Sequence, residues 1–195
     1  MAKKRKLKKS SSKQAGIIIG VGLILLSAAV LFIVSPSAST GNTNNVSKGQ
    51  NYVVPVKVHF DAPELSLENI DGKVEDLTNY RGQVVLINNW ATWCPPCKAE
   101  MPTLVDYFND HSDEGFAIIA IEAGEPREQV QGFKEDFDIP FTIWLDPNNR
   151  ALDAFRNGNL PNSYVMDRDG IIRYAWTGEI NREMLEEYIT PLLSE

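Results

Sequence analysis

The sequence predicts an α/β domain, a three-layer α/β/α sandwich with a mixed central sheet. Short apolar, β-branched runs alternate with longer segments of helical periodicity between residues 83 and 193. Asp71-Gly72 and Asp169-Gly170 each separate two strand-like runs, which is typical of β-hairpins. Alternating strands and helices favour a layered α/β architecture, and the two hairpins add antiparallel strands to its sheet.

The predicted elements follow one another from residue 52 to the end of the chain. Residues 52–58 form an edge strand, because Pro55 cannot donate a hydrogen bond within a central strand. Residues 65–77 form an N-terminal β-hairpin. Further strands are predicted at residues 83–89, 116–121, 141–145, 163–166 and 171–176, and helices at 98–108, 125–137, 152–155 and 183–193. Pro102 should kink the first of these helices, and Asn181 should cap the last.

Charge is unevenly distributed along the chain. Residues 1–13 carry seven Lys or Arg side chains and no acid, whereas the rest of the chain holds the other 12 of the 19 basic side chains and all 26 acidic ones. A basic segment that directly precedes an apolar run indicates membrane topology rather than nucleic-acid binding. We therefore expect no nucleic-acid partner.

An apolar segment follows the basic residues. Residues 17–34 contain no charged side chain, and as a helix they would span roughly 27 Å, close to the thickness of the bilayer core. The positive-inside rule keeps the basic flank in the cytoplasm and places the rest of the chain outside. The alternative is a cleaved signal peptide, but Pro36 is poorly placed for cleavage after Ala38 and the apolar run is long.

These features divide the chain into four parts. We predict a basic cytoplasmic tail over residues 1–16, a transmembrane signal-anchor helix over 17–34, a flexible linker over 35–51 and an extracytoplasmic domain over 52–195. The linker is rich in Ser, Asn, Thr and Gly, a composition typical of a mobile tether. The predicted location is the outer face of a bacterial cell membrane, held by a single span, where disulfides persist.

The only two cysteines lie three residues apart in the segment Trp93-Cys94-Pro95-Pro96-Cys97, where a predicted strand leads into a helix. The first N–H groups of a helix are unpaired and partly positive, so they stabilise a thiolate at Cys94 and lower its pKa. Cys97 follows one turn later on the same face, within reach of a disulfide. The pair can therefore alternate between dithiol and disulfide, with Cys94 attacking and Cys97 resolving.

Three other roles for the cysteine pair are weaker. A structural disulfide across so short a loop would restrain the unfolded chain by only about 2 kcal/mol. A zinc site needs four ligands, and His59 and His111 are far away in the sequence. Two inert buried thiols are atypical beside a tryptophan and two prolines. The sequence thus predicts redox chemistry that uses neither a metal nor a cofactor.

Three motifs carry a wider resemblance. They are Trp-Cys-Pro-Pro-Cys at residues 93–97, Asp-Gly-Lys at 71–73 followed by Tyr-Arg-Gly at 80–82, and Leu-Pro-Asn-Ser at 160–163 followed by Asp-Arg-Asp-Gly at 167–170. Together they resemble the thioredoxin superfamily, and more narrowly its TlpA/ResA-type membrane-anchored thiol-disulfide oxidoreductases. The resemblance covers residues 60–193. It implies a thioredoxin-like fold in which residues 116–137 form a central strand–helix insertion.

The resemblance also implies a set of site residues. Pro161 matches a cis-proline that faces the cysteine pair in this superfamily, and Leu160 would offer its backbone N–H and C=O to an extended substrate segment. Trp93 is expected to line the site as an apolar surface for partners. Glu100 lies three residues after Cys97 on the same helical face, where the family carries a functional glutamate. We expect a partly buried acid that moves protons, the alternative being an exposed glutamate favoured near a helix N-terminus.

Three further polar residues are less sharply assigned. Asn88 stands six residues before Cys94, where thioredoxin itself has a buried aspartate that assists proton transfer, so this chain lacks one candidate base. Glu122 and Glu125 follow the second buried strand and are candidates for the edge of the site. Solvated surface is their default, and the sequence leaves their roles open.

The function implied by the resemblance is that of an extracytoplasmic, membrane-tethered thiol-disulfide oxidoreductase acting on protein disulfides. It implies reduction, with the haem-site cysteines of apocytochrome c as clients and a membrane thiol transporter of the CcdA/DsbD type as electron donor. The alternatives are a disulfide oxidase or isomerase on the same fold, a peroxide-reducing enzyme, and a tethered binding module whose cysteines are not catalytic. We expect the protein to be a monomer.

Overall fold

Strands and helices alternate along residues 54–195, the part of the chain that the computed structural model describes. The strands are β1 (Val56–Asp61), β2 (Ser66–Asn69), β3 (Val74–Asp76), β4 (Val84–Trp90), β5 (Phe116–Glu122), β6 (Thr142–Leu145), β7 (Asn162–Met166) and β8 (Ile171–Thr177). The helices are α1 (Pro95–His111), α2 (Arg127–Asp136), α3 (Arg150–Ala154), α4 (Arg182–Tyr188) and α5 (Thr190–Leu193), with 3-10 turns at Leu77–Tyr80 and Ser112–Glu114. This order of elements agrees with the prediction.

The strands form one mixed sheet in the order β1-β8-β7-β4-β5-β6-β2-β3. Strands β4, β5 and β6 run parallel, and β7 pairs antiparallel with β4. Both β4 and β5 are buried along their whole length, as their nearly continuous apolar runs predict. The predicted N-terminal hairpin is β2–β3, which extends the sheet beyond β6, while β1 forms the opposite edge beside β8.

Apolar side chains fill both faces of the sheet. On one face, helices α1, α2, α4 and α5 pack over a cluster that includes Leu86 and Trp90. On the other face, α3 and the first 3-10 turn cover a smaller cluster that includes Ile87 and Trp144. Successive side chains of β4 point to opposite faces and so contribute to both clusters. The predicted α/β/α sandwich is confirmed, with outer layers of unequal size.

The element boundaries differ from the predictions mainly at the two ends of the domain. The edge strand predicted at 52–58 covers Val56–Asp61 instead, and the first two predicted residues lie outside the described part of the chain. The single final helix predicted at 183–193 is divided into α4 and α5. Pro191 causes this division, because it has no N–H to donate to the preceding turn. Asn181 caps α4 as predicted.

The predicted basic tail, anchor and linker, residues 1–51, lie outside the described residues. Among residues 54–195, no helix is both long enough and apolar enough to cross a membrane. The division of the chain into four parts stays a prediction.

Candidate active site

Strand β4 leads the chain directly to the cysteine pair. The strand ends at Trp90, a three-residue loop follows, and Cys94 is the N-cap residue of α1. Pro95 and Pro96 occupy the first helical turn, where a missing N–H costs no hydrogen bond. Pro102 lies inside the same helix, as predicted. The strand–loop–helix arrangement expected from the sequence is therefore present.

Cys94 and Cys97 form a disulfide, and their Cα atoms are 5.3 Å apart. The backbone N–H of Cys97 donates a hydrogen bond to Cys94 Sγ at 3.3 Å. It is the only N–H among the first three helical residues, because both residues between the cysteines are prolines. After reduction, the same N–H would stabilise a Cys94 thiolate. Cys97 is fully buried while Cys94 is 3% exposed, which favours Cys94 as the sulfur that a client reaches first.

The two tryptophans that flank this loop have opposite surroundings. Trp90 is fully buried and packs against Phe133, with ring centroids 4.6 Å apart. Trp93 is 65% exposed directly beside Cys94. A large apolar ring held in solvent is a common feature of protein contact surfaces. Its placement agrees with the expectation that Trp93 offers an apolar surface to partners.

The loop before β7 approaches the cysteines from the neighbouring strand. The Leu160–Pro161 peptide bond is cis, as predicted. In the β4–β7 register Asn162 lies opposite Asn89, so Pro161 stands beside the end of β4 from which the cysteine loop departs. Leu160 is half-buried and packs against the apolar cluster that contains both cysteines. The structure thus brings together the cysteine pair and the two residues expected to bind substrate backbone.

Glu100 lies on α1, one turn after Cys97, and is fully buried. The Asn88 side-chain amide donates to its Oε1 at 2.8 Å, and the backbone N–H of Ile180 donates to its Oε2 at 2.9 Å. Burial disfavours the charged form and raises the pKa of Glu100 to about 8, although both hydrogen bonds oppose this shift. The sequence predicted a partly buried acid. The structure encloses it completely, and this burial brings its pKa closer to neutral pH.

Asn88 connects Glu100 to the strand that follows the cis-proline. It is fully buried within β4, and its side-chain amide donates both to Glu100 and to Ser163 Oγ, the latter at 3.0 Å. Asn88 and Asn89 interrupt an otherwise apolar strand, and this is the sequence signal for such a contact, since buried amides need partners. The identity of those partners depends on the packing of α1 and β7 against β4.

Glu122 is a second buried carboxyl near the site, and the expectation of solvated surface is wrong for it. It ends β5, pairs with Trp90 at the end of β4, and is fully buried. Both carboxyl oxygens lie 3.1 Å from the N–H of Glu125. Burial is the main cause that raises the pKa of Glu122 to about 8, and the carboxyls of Glu125 and Asp146 also raise it.

Glu125 holds the loop in front of the cysteines. Its carboxylate accepts hydrogen bonds from the backbone N–H and from the hydroxyl of Thr92, each at 2.6 Å. Gln129 donates to both Thr92 and Glu125. Thr92 stands two residues before Cys94, so this cluster sets the path of the chain into the disulfide. Nothing local in the sequence indicates the contact, because its two partners meet only where the parallel strands β4 and β5 end side by side.

The site therefore offers two sulfurs, two buried acids and an exposed apolar surface. Within residues 54–195, no group of three or more His, Cys, Asp or Glu side chains is placed to hold a metal ion. A cysteine pair in a site with two buried carboxyls of raised pKa suits thiol–disulfide exchange coupled to proton transfer.

Comparison with known proteins agrees with this chemistry. A model of the AhpC/TSA family matches residues 58–175. The chain belongs to the AhpC/TSA family. Thiol-disulfide oxidoreductase ResA of Geobacillus thermodenitrificans is 34% identical over 134 residues, which are 69% of this chain and 77% of that protein. ResA of Geobacillus kaustophilus is 30% identical over 167 residues, 86% of this chain and 94% of that protein.

Solved structures show the same fold. A secreted thiol-disulfide isomerase from Corynebacterium glutamicum superposes with a TM-score of 0.68, covering 75% of this chain and 96% of that one. Because the sequence identity is only 18%, this match supports the fold alone. As an AhpC/TSA-family member with ResA relatives, this chain is a thiol-disulfide oxidoreductase of the thioredoxin superfamily. The predicted superfamily, fold and enzyme class are confirmed.

Proposed function

We propose that the Cys94–Cys97 pair reduces disulfides of protein clients outside the cytoplasm. The Cys94 thiolate attacks one sulfur of the client disulfide, which forms a mixed disulfide and releases one client thiolate. The Cys97 thiolate then attacks Cys94 Sγ, so the enzyme disulfide forms and the second client thiolate leaves. Two electrons pass from the enzyme to the client. The observation that carries this proposal is the cysteine pair at the N-terminus of α1, in which Cys94 is 3% exposed and Cys97 is fully buried.

We assign proton transfer to Glu100. Cys97 is fully buried, so its thiol proton must leave through the protein before the Cys97 sulfur can attack the mixed disulfide. Glu100 lies one turn further along α1, and its pKa of about 8 allows it to gain or lose a proton under ordinary conditions. In this proposal the Glu100 carboxylate accepts the Cys97 proton and later passes it towards a departing client thiolate.

We assign client binding to Trp93, Leu160 and Pro161. An extended client segment would pair with the backbone N–H and C=O of Leu160 and cover the exposed Trp93 ring. Support comes from the positions of these residues. Pro161 lies beside the end of β4, where the loop that contains Trp93 begins, and Leu160 packs against the cluster that contains both cysteines. A client that contacts both would present its disulfide to Cys94.

The motifs and the N-terminal sequence support further assignments of client, electron donor and location. We propose apocytochrome c as a client, a CcdA/DsbD-type membrane transporter as the electron donor, and a monomer held at the membrane by residues 17–34. The ResA relatives support the type of chemistry. The basic residues followed by an uncharged apolar segment support the anchor and its orientation.

Disulfide formation or isomerisation is the second candidate function, and one contact favours it. The N–H of Cys97 points at Cys94 Sγ, so it would stabilise the thiolate of the reduced enzyme. Stabilising the reduced form makes a disulfide more oxidising. The direction of electron flow therefore depends on the reduction potential of the pair.

The deciding experiment is a measurement of that potential for the purified protein in defined thiol buffers. We expect a value of about −270 mV or lower, as in thioredoxin, which suits a reductase with an electron source. A value near −120 mV, roughly that of a strong oxidant, would contradict reduction and favour disulfide formation. Cys94→Ser is the control, because it should abolish the reduction of insulin disulfides under the same conditions.

A further inference from the structure

Two buried asparagines connect β4, the strand that leads to the cysteines, with β7, the strand that follows Pro161. Asn89 of β4 and Asn162 of β7 are cross-strand partners, and both are almost completely buried. The Asn89 side-chain N–H donates to Asn162 Oδ1 at 2.8 Å. Because Asn88 points towards Glu100 on α1, its neighbour Asn89 points to the opposite face of the sheet. The pair is thus separate from the contacts of Glu100.

Asn162 in turn holds the loop that precedes the cis-proline. Its side-chain amide donates to the backbone oxygen of Asn159 at 2.6 Å and to that of Asn157 at 3.4 Å. The Asn157 side chain donates to Thr177 Oγ1 of β8 at 2.9 Å and accepts from the N–H of Asn159 at 3.2 Å. The path of residues 157–160 is therefore set by side-chain amides.

The amide of Asn162 makes three hydrogen bonds in a buried position. Its oxygen accepts once and its nitrogen donates twice, so it is well satisfied. Such a group favours one arrangement of its partners, since any shift leaves a buried polar atom unpaired. The loop itself has little else to hold it, because Gly158 and Asn159 are exposed and Leu160 is only half-buried.

We infer that Asn162, braced by Asn89, is a positioning residue that fixes residues 157–160 next to the cysteine pair and thereby determines how tightly protein clients bind. The inference rests on the proposed docking of clients at Leu160 and Pro161. The ligand it concerns is an extended polypeptide segment that contains a disulfide. A small disulfide has no extended segment to pair with this loop, so we expect its reaction not to depend on the asparagines.

The test compares protein and small-molecule substrates in the full-length Asn162→Ala variant. For insulin reduction we expect KM to rise by about five-fold to ten-fold with kcat changed less than about two-fold, since binding is lost but the reacting groups are intact. The rate with 5,5′-dithiobis(2-nitrobenzoate) and the reduction potential should stay as in the wild type. This split between KM and kcat, and between substrates, is not expected from a general loss of stability.

Two further variants keep the test informative if Asn162→Ala folds poorly. Asn157→Ala removes the links to Thr177 and Asn159 at a half-buried position, and it should raise KM for insulin in the same way but less strongly. Asn69→Ala is the matched control. Asn69 is likewise buried, at 5% exposed against 0% for Asn162, and its side chain organises the turn between β2 and β3. These two strands lie beyond β6 in the sheet, away from β7. It should leave KM for both substrates unchanged.

The outcomes separate this inference from the proposed function. If the wild type reduces insulin but Asn162→Ala and Asn157→Ala leave KM unchanged, or slow both substrates in parallel, the positioning role is overturned while the proposed function stands. If the wild type reacts with the small disulfide but not with insulin, the proposed function fails, and the inference fails with it.

Discussion

Glu100 and Glu122 are both fully buried, and burial raises the pKa of each to about 8, yet their partners differ. The two oxygens of Glu100 have separate donors, one from β4 and one from the loop before α4. Both oxygens of Glu122 share a single N–H, and two further carboxyls, those of Glu125 and Asp146, lie near it. The same direction of pKa shift thus arises in two environments.

A raised pKa therefore does not by itself identify a proton carrier. Glu100 has hydrogen-bond donors that can stabilise its charged form, so it can hold the negative charge during turnover. Glu122 has a single donor and would become negative beside both Glu125 and Asp146, whereas only Glu179 acts in this way on Glu100. We therefore expect Glu122 to stay protonated at neutral pH and to act as a neutral support for Glu125. Three experiments test the raised pKa values that the two acids share and the distinction between their roles, beginning with the largest expected effect.

The first is the pH dependence of stability. The folded-state pKa values of about 8 exceed the ordinary glutamate value of 4.5, so the folded protein binds more protons than the unfolded chain between these limits. The contribution of both groups is complete below pH 4.5 and is lost as the pH rises towards 8. Denaturant unfolding at pH 5 and pH 8 should therefore show a loss on the order of several kcal/mol.

Variants assign this loss to the two acids. Glu100→Gln and Glu122→Gln should each make the stability of the protein less dependent on pH, because a glutamine cannot ionise. Glu128→Gln, at an exposed position of α2, is the matched control and should leave the dependence unchanged. A wild type that becomes more stable between pH 5 and pH 8 would contradict the raised pKa values of both groups.

The second experiment concerns turnover. Glu100→Gln should slow the reduction of insulin by about 10-fold to 100-fold, near the lower end of what general acid–base catalysis contributes. Glu122→Gln should slow it by less than about three-fold, because glutamine resembles the protonated carboxyl that we expect there. Single-turnover kinetics between pH 6 and pH 9 measure both. Equal losses in the two variants would remove the functional distinction between the acids.

The third and smallest effect concerns Glu125. In Glu125→Gln one of the two hydrogen bonds to Thr92 weakens or is lost, and we expect a loss of about 1 kcal/mol in the free energy of unfolding. The pKa of Glu122 should fall, because the nearby Glu125 carboxylate is one of the causes that raise it. The pKa of Glu100 should not change. Carboxyl NMR titration of both glutamates checks this, and a parallel fall in both pKa values would contradict it.

Local patterns in the sequence were sufficient for much of the fold and for the centre of the site. The cysteine spacing and its place between a strand and a helix predicted the disulfide and the N-cap position of Cys94. The motif match around Pro161 predicted its cis peptide bond. Pro191 was a visible signal for the break in the last helix, since a proline at that point cannot continue the hydrogen-bond ladder.

Local sequence was thus enough to identify the two sulfurs, their secondary structure and the order of strands and helices, because these depend on short-range periodicity, turns and caps. The burial of the polar side chains and the identity of their partners depend instead on tertiary packing. Asn89 and Asn162 are 73 residues apart, and Thr92 and Glu125 are 33 apart. These contacts and the raised pKa of Glu122 follow from strand register and packing. Neither the register nor the packing can be read from the residues adjacent in the chain.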